Sequence, residues 1–369
     1  MSVYESRTRR LQNLLRRNGV DAAVILSLGS YLYFTGDVRK QPRVVIPSEG
    51  EPFLIVFESE EEEAKNNTWI RDVRTYRSLH QMMAAIMTAA KEQKWKKVGF
   101  EFDFFLPAFL NERFKMAVPT VEVVDIHELV TSLKMIKDEQ EIGLIRKAAE
   151  IAVEGMKTAI EYVEEGVTEN EVAAEAEYAM RKLGAEGTAF PTFVNSGPRS
   201  LWLHGLVTHR KIEEGDLVII DLGPVYHGYA ANMCRTINVG SASEGKRRLY
   251  NVYLTMQRTV INNVKPGVKV LDLENLAFKI VRDAGYGEYY VRGIGHGIGL
   301  TFEETPMPTI FPQDVLVELR PKMVFTVGHP VLSVPGIGGV RIEDTLLVTE
   351  DGNEKLTEYP DTLIEKVNG

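Results

Sequence analysis

Short apolar strand patterns alternate with amphipathic helical patterns from Val3 to about Val130, and this alternation restricts the possible folds more than any other feature. The strand candidates are DAAVILS, RVVIPS, PFLIVF and KVGFEF. Strands separated by helices in this way are typical of an α/β domain. The chain has 369 residues, which is more than one hydrophobic core usually supports, so we expect a second domain.

The pattern changes near residue 130. A long helical period runs through Lys134–Tyr162, and Thr168 with Glu171 forms a capping-box pattern that begins the next helix. Two later helices are predicted at 243–264 and 270–284. Strands are predicted in the segments DLVIIDLG, MCRTINVG, MVFTV and GGVRIEDTLLVTEDG. Helices placed before and between antiparallel strands predict an α+β domain. The expected organisation is an α/β domain over 1–130 and an α+β domain over 131–369.

Charge and composition limit the partners of the chain. The net charge of -9 disfavours nucleic acid and anionic membranes, which require a basic face. The first residues lack the apolar core of a signal peptide, and no run of about 20 apolar residues follows. Cys234, the single cysteine, excludes an intrachain disulfide and is expected to be a packed residue. We expect a cytoplasmic protein without nucleic-acid or membrane partners.

Histidines and acids cluster in the second half of the chain and suggest a site. A divalent ion requires oxygen ligands and some imidazole nitrogens, held on strands whose alternate side chains share a pocket. The groups that could provide them are Asp221 in VIIDLG, Asn232 in YAANMCRT, His296 in GIGHGIGL, and His329 and Glu343 in GHPVLSVPGIGGVRIEDT. Alternatively, Asp221 is a turn acid and Glu343 an edge-strand charge. The GIGHGIG segment does not fit the G-x-G-x-x-G nucleotide pattern.

Taken in order, these fragments resemble the creatinase, prolidase and aminopeptidase P superfamily, peptidase family M24. AFPTFVNSGPRSLWLHG, VIIDLG, GIGHGIGL and GGVRIEDTLLVTEDG resemble its pita-bread catalytic domain, and the first 130 residues with SYLYFTG resemble its N-terminal domain. The resemblance implies an α/β N-terminal domain, an α+β pita-bread C-terminal domain, and a prolidase-like hydrolase of C–N bonds.

The resemblance also implies a metal site with altered ligands. Metal-dependent members hold two divalent ions with two Asp, one His and two Glu. Here Asp221, His296 and Glu343 keep the family identity, while Asn232 stands at the second Asp position. His329 stands at the first Glu position, with the preceding glycine as the alternative alignment. The implied metal-binding set is therefore Asp221, Asn232, His296, His329 and Glu343.

Further site residues follow from the same resemblance. His204 in LWLHG matches the family histidine that stabilises the substrate or moves protons, so His204 and Glu343 are the catalytic candidates. Glu303 stands where prolidase-like members have a second histidine near the substrate, and it is a substrate-binding candidate. Arg39 and Arg43 could reach a substrate carboxylate across a homodimer, or they are solvated surface arginines.

The altered ligands disfavour a pair of ions. Two divalent ions about 3.5 Å apart repel by roughly 19 kcal/mol at an effective dielectric of about 20, so several carboxylates are needed to neutralise them. Asp221 and Glu343 supply only two. One ion (zinc, manganese or cobalt) or none is therefore expected, with an Xaa-Pro dipeptide or a related amide as the substrate. The alternatives are a metal-independent, creatinase-like amidinohydrolase that uses His204, and a non-catalytic binding protein.

Overall fold

The computed structural model describes residues 1–102 and 108–367. Residue contacts divide the chain into two units, Met1–Lys134 and Met135–Gly369. Within the described ranges, no helix is both long and apolar enough to cross a membrane.

Unit 1 is built on one six-stranded mixed sheet. Its strands are β1 (Ala22–Ile25), β2 (Val44–Pro47), β3 (Phe53–Phe57), β4 (Asp72–Tyr76), β5 (Lys97–Phe100) and β6 (Glu122–Asp125). They follow the order β4-β3-β2-β1-β5-β6. β1 pairs with β5 in parallel and with β2 in antiparallel orientation. Every residue of β1 is buried, as expected for an uninterrupted apolar run in the centre of a sheet.

Six α-helices lie in the described part of unit 1, and together with the sheet they form the predicted α/β unit. They are α1 (Val3–Arg17), α2 (Leu28–Thr35), α3 (Glu61–Asn67), α4 (Leu79–Glu92), α5 (Ala108–Ala117) and α6 (His127–Lys134). Side chains cap two of them: Ser2 accepts from the Glu5 amide before α1, and Ser78 accepts from the Gln81 amide before α4. Apolar residues of α4, including Ile86, share a buried core with the sheet.

Unit 2 combines small, mainly antiparallel sheets with helices. Its strands are β7 (Gly187–Thr188), β8 (Phe193–Ser196), β9 (Leu217–Leu222), β10 (Pro224–Tyr226), β11 (Tyr229–Ala230), β12 (Met233–Val239), β13 (Val324–Val327), β14 (Leu332–Val334), β15 (Gly338–Val340), β16 (Asp344–Val348), β17 (Asn353–Lys355) and β18 (Ile364–Lys366). The sheets have the orders β18-β12-β9-β8, β11-β10-β7, β13-β16-β17 and β14-β15. This is the predicted α+β architecture.

The described residues of unit 2 form four α-helices: α7 (Glu139–Tyr162), α8 (Glu169–Lys182), α9 (Glu244–Ile261) and α10 (Val270–Asp283). Helix α8 begins at the predicted capping box, in which Thr168 accepts from the Glu171 amide. Helix α7 begins five residues later than its sequence pattern, because Asp138 caps it in a second capping box and Lys134 ends α6.

Two large hydrophobic cores, together with smaller clusters, stabilise the described part of unit 2. In the first, buried residues of α7 and α8, such as Met156 and Ala176, cluster with Ile220 of β9 and Ile237 of β12. In the second, residues of α9 and α10 cluster with β13 and its neighbours, including Phe325. The strands that carry polar side chains at their ends are therefore held by helices packed on their apolar residues.

Candidate active site

Strand β12 brings together two acids that lie 122 positions apart in the sequence. Cys234 on β12 pairs with Asp221 on β9, and its amide and carbonyl bond to the carbonyl and amide of Glu343 at 3.0 and 3.1 Å. Asn232 lies just before β12, and its Nδ2 donates to Asp221 Oδ1 at 2.8 Å. Cys234 is buried as expected, and burial raises the pKa of its thiol well above the ordinary value.

Two glycines allow His296 to lie against β13. A Cβ added at Gly295 would be 1.8 Å from Thr326 O, and one at Gly297 would be 2.6 Å from Thr305 O. The amide of Thr326 donates to His296 O at 2.8 Å. His296 Nδ1 lies 2.9 Å from Gly297 O, which can only accept, so Nδ1 carries the proton and Nε2 keeps a free lone pair.

Gly328 and His329, the two alternatives at the first Glu position of the family, differ in what they can contribute to a site. Gly328 has a φ of +111°, and a Cβ there would lie 1.8 Å from Ile342 O, so no side chain fits. Tyr253 Oη lies 2.5 Å from Gly328 O and 2.6 Å from Pro330 O, and it shares its proton between these carbonyls. The turn is thereby fixed, and His329 is the residue that lines the cavity.

A cavity of about 350 Å³ lies in front of these residues. Its lining consists of Ala189, Phe190, Pro191, Phe193, His204, Asp221, Asn232, His296, Phe302, Glu303, His329 and Arg341. One part of the lining is aromatic, since the Phe190 ring centroid lies 5.6 Å from that of Phe193 and 5.7 Å from that of Phe302. No role was predicted for these phenylalanines from the sequence, although two of them lie in the AFPTF segment.

His204 lines this cavity and also contacts solvent. Its ring centroid lies 6.1 Å from that of Phe193 and 6.4 Å from that of His329. Partial burial and the positive charge of Arg341 lower the pKa of His204 below its ordinary value. The ring is therefore neutral near pH 7 and can accept a proton.

Glu303, predicted to contact substrate, lies beside the cavity histidines. Its Oε1 is 3.8 Å from His329 Nε2, and its side chain is 14% exposed. One ligand atom from each of His296, Glu303 and His329 lies within 4.8 Å of the others. Two imidazoles and one carboxylate at this spacing form a candidate metal-binding group, and it is the only such group among the residues that the structure describes.

Arg341 lies at the centre of the site, although no role was predicted for it from the sequence. Its Nη1 lies 2.5 Å from Asp221 Oδ2, and its Nη2 donates to Glu343 Oε2 at 2.6 Å. Nη2 also lies 3.0 Å from His329 Nδ1. The available signal was the spacing in VRIED, because extended residues two apart direct their side chains to the same face. A buried guanidinium therefore occupies the centre of the predicted ligand set.

The pKa values of Asp221 and Glu343 are shifted in opposite directions, although both acids contact Arg341. Burial raises the pKa of Asp221 to about 7, although Arg341 opposes this effect. Burial also acts on Glu343, but Arg341 and His329 outweigh it and hold the pKa of Glu343 below its ordinary value. Glu343 is fully buried and, unlike Asp221, is absent from the cavity lining. The structure thus places Glu343, predicted as both ligand and catalyst, behind the cavity wall.

The five family positions do not fit a pair of divalent ions. Both oxygens of Asp221 already have partners, Asn232 at Oδ1 and Arg341 at Oδ2. Asn232 is neutral, and one oxygen of Glu343 accepts from Arg341. Two carboxylates and one guanidinium leave a single negative charge, whereas two divalent ions bring four positive charges that must be neutralised.

The two N-terminal arginines lie in unit 1. Arg39 is 7% exposed, and its Nε donates to Asp37 Oδ2 at 2.7 Å and to Tyr31 Oη at 3.0 Å. A solvated surface position, the alternative considered from the sequence, is therefore wrong for Arg39. Arg43 is partly exposed, and its Nη1 donates to Tyr76 Oη at 2.6 Å. A contact between either arginine and a substrate stays a prediction.

Comparison with known proteins identifies the family. Residues 143–350 match Metallopeptidase family M24, and residues 7–136 match the Creatinase/Prolidase N-terminal domain. The chain belongs to metallopeptidase family M24. The Xaa-Pro dipeptidase of Pyrococcus horikoshii is 34% identical to it over 364 residues, which cover 99% of this chain and 100% of that protein.

Solved structures of M24 proteins share the fold over almost the whole chain. The prolidase from Pyrococcus horikoshii OT3 matches with a TM-score of 0.89 and 35% identity, covering 97% of this chain and 100% of that one. The Xaa-Pro dipeptidase from Bacillus anthracis matches with a TM-score of 0.89 and 32% identity, covering 98% and 99%. The M24 chain is a prolidase-like hydrolase of C–N bonds, so the predicted family, fold and reaction class are confirmed.

Proposed function

We propose that this M24 chain hydrolyses a dipeptide-sized, C–N-linked substrate in the cavity, with Xaa-Pro dipeptides as the first candidates. The observation that carries the proposal is that His204 and the aromatic residues Phe190, Phe193 and Phe302 line the same cavity of about 350 Å³. That volume falls within the range of roughly 300–1,000 Å³ typical of small-ligand pockets. The relatives named Xaa-Pro dipeptidase support this substrate class.

The lining residues have different roles in the proposed amide hydrolysis. Neutral His204 accepts a proton from the attacking water and returns it to the leaving amine. The aromatic residues bind the apolar part of the substrate, such as a proline ring, and exclude water from it. Glu343 lies behind the wall and acts as a positioning residue, because it holds Arg341 and lies 3.6 Å from His329 Nδ1.

We propose that the chain uses one divalent ion, zinc, manganese or cobalt, rather than two. The limited negative charge around Asp221 and Glu343 supports this stoichiometry, since Arg341 already neutralises part of it. A bound divalent ion supplies an acidified water for attack on the amide carbon. The proton acceptor His204 and the aromatic lining are contributed by the protein itself.

A second candidate function is a metal-independent, creatinase-like amidinohydrolase. Two observations favour it. Arg341 pairs with both family carboxylates, and His204 has the lowered pKa of a base that is neutral at pH 7. In this mechanism His204 alone moves the proton, and Glu303 binds a cationic group of the substrate.

We further propose a homodimer that works in the cytoplasm on a small substrate, without nucleic-acid or membrane partners. The net charge of -9 supports the exclusion of polyanionic partners. The single cysteine, Cys234, permits no intrachain disulfide, as is usual for chains of reducing compartments. Light scattering of the purified chain tests the dimer, and a mass of 41.5 kDa would reject it.

The function is tested with a panel of Xaa-Pro dipeptides, creatine and cyclic amidines, assayed with and without Zn²⁺, Mn²⁺ and Co²⁺. We expect metal-stimulated cleavage of at least one dipeptide that is lost in His204→Ala. Cleavage of creatine or an amidine that survives chelation would instead support the second candidate. No turnover of any compound, together with tight binding of a macromolecule, would favour the non-catalytic alternative and reject both enzymes.

A further inference from the structure

We infer that the ion site of this chain has moved from the family carboxylates to a mononuclear site formed by His296, Glu303 and His329. The inference deepens the proposed function, and it rests on that function only for the use of the ion in hydrolysis. It assigns Glu303, a position outside the family ligand set described above, as the carboxylate ligand.

The three side chains offer a suitable donor set. Their ligand atoms lie within 4.8 Å of one another, His296 and His329 are buried, and all three residues line the cavity. Two imidazole nitrogens with one carboxylate oxygen are typical of catalytic zinc sites that leave a position open to water. Asp221 offers less to an ion, because Asn232 and Arg341 already bind its two oxygens.

A second observation also indicates a cation at this place. Glu343 Oε1 is buried and has no hydrogen-bond partner, and it lies 3.6 Å from His296 Nε2. Since His296 Nδ1 donates to Gly297 O, the Nε2 atom presents a lone pair. Two buried acceptors therefore face each other with no donor between them. Arg341 donates to the other oxygen of Glu343 and not to this one, and an ion bound to His296 Nε2 would remove the unfavourable contact between the two acceptors.

With all three carboxyl groups near the cavity ionised, the excess negative charge matches one divalent ion. Asp221, Glu303 and Glu343 contribute three negative charges when ionised, and Arg341 neutralises one of them. The neighbouring Glu304 does not add to the excess, because Lys137 Nζ lies 2.7 Å from its Oε2. Three carboxylates minus one guanidinium leave two negative charges, which one divalent ion balances and two ions exceed.

Binding through His329 Nε2 requires the ring proton to be on Nδ1, whereas Arg341 Nη2, which can only donate, lies 3.0 Å from Nδ1. Ion binding therefore requires the guanidinium to give up this contact and the imidazole to move its Nδ1 proton towards Glu343 Oε1, the oxygen without a partner, which lies 3.6 Å away. Arg341 Nη2 keeps its bond to Glu343 Oε2 at 2.6 Å in this arrangement. Glu343 then orients a metal-bound imidazole from behind, which is the usual role of a carboxylate next to a histidine ligand.

The test measures ion binding without substrate. The full chain is stripped with a chelator and dialysed against Zn²⁺ or Mn²⁺, and its metal content and affinity are measured for the wild type, Glu303→Gln, Glu303→Ala and Asp221→Asn. Glu350→Gln, at an exposed glutamate of the same unit, is the matched control for loss of one charge. Circular dichroism and thermal unfolding of each stripped variant show whether it is folded.

We expect one ion per chain in the wild type, Glu350→Gln and Asp221→Asn, and affinity weakened by more than about 100-fold in both folded Glu303 variants. Two ions, no ion, or a site lost in Asp221→Asn but kept in Glu303→Gln would overturn the inference. The outcomes distinguish this inference from the proposed function. If the wild type is inactive but the Glu303 variants lose the ion, only the proposed function is rejected. If the wild type is active but Glu303→Gln keeps its ion, only the inferred metal site is rejected.

Discussion

Arg341 and Asp221 form an ion pair with 2.5 Å between Nη1 and Oδ2, and neither side chain is more than 3% exposed. Arg341 binds Glu343 in the same way, so one guanidinium joins the two acids that keep the family identity. The guanidinium of Arg341 thus neutralises part of the negative charge that a pair of divalent metal ions would require. The substituted positions lie beside this carboxylate pair: Asn232 donates to Asp221, and His329 Nδ1 lies 3.6 Å from Glu343 Oε1.

Replacement of Arg341 by Met should destabilise the chelator-treated protein by about 3–5 kcal/mol, because it leaves two buried carboxylates without their partner. Added Mn²⁺ should recover part of this loss, since an ion can take the place of the guanidinium. Urea unfolding with EDTA or Mn²⁺ measures both effects. Arg248→Met, at an exposed arginine of the same unit, should change the free energy of unfolding by less than about 0.5 kcal/mol. A folded Arg341 variant with unchanged stability would contradict this prediction.

His204→Ala should lower kcat for the best substrate of the panel by about 100- to 10,000-fold, because the proton acceptor of the cavity is lost. KM should change less, since the aromatic lining remains. Steady-state kinetics measure the two effects separately. His209→Ala removes an exposed histidine five residues away and is the control that should keep wild-type kinetics. Equal losses in both variants would remove His204 from the mechanism.

The double variant Asn232→Asp with His329→Glu restores the family ligand types and should raise the metal content from one ion to two per chain. The two added carboxylates supply the negative charge that the present set lacks, and a carboxylate can bridge two ions whereas an amide or an imidazole cannot. Elemental analysis after dialysis measures the stoichiometry. Asn263→Asp with His209→Glu makes the same changes at exposed positions and should leave it unaltered. A folded double variant that still holds one ion would show that Arg341 alone prevents pairing.

Unit 1 should lose stability in acid through Glu101. Burial raises the pKa of this carboxyl, but Lys134 and the hydroxyls of Ser30 and Ser27 outweigh burial and hold the pKa below the ordinary 4.5. A lowered folded-state pKa means that the stabilisation is complete above the ordinary value and is lost as pH falls through the folded value. The stability difference between the wild type and Glu101→Gln should therefore shrink below about pH 4.5.

Denaturant unfolding at several pH values measures this difference. Glu122→Gln, whose side chain is 63% exposed in the wild type, is the control and should show a small difference that changes little with pH. A constant gap between the wild type and Glu101→Gln down to pH 3 would show that Glu101 is not the responsible acid.

Local patterns were sufficient for much of the fold. The capping box of Thr168 and Glu171 involves residues three apart, and the structure begins α8 there. The apolar run of β9 predicts a buried strand whatever lies next to it, and all six of its residues are buried. The first residue of α7 was harder to predict from the sequence, because Lys134 continues the helical period but belongs to α6. The motif order allowed the family resemblance to be recognised without knowledge of the tertiary structure.

The elements, the family resemblance and the substituted ligands could be predicted before folding is considered, because hydrophobic periodicity, capping and motif order are properties of neighbouring residues. The partners of the substituted residues became visible only in the folded chain. The distance from Arg341 to Asp221 depends on how the strand and segment that carry them pack, and the approach of Glu303 to His329 depends on a loop folding back beside the cavity. Electrostatic interactions depend on distance in space and on burial, and neither can be read from sequence separation.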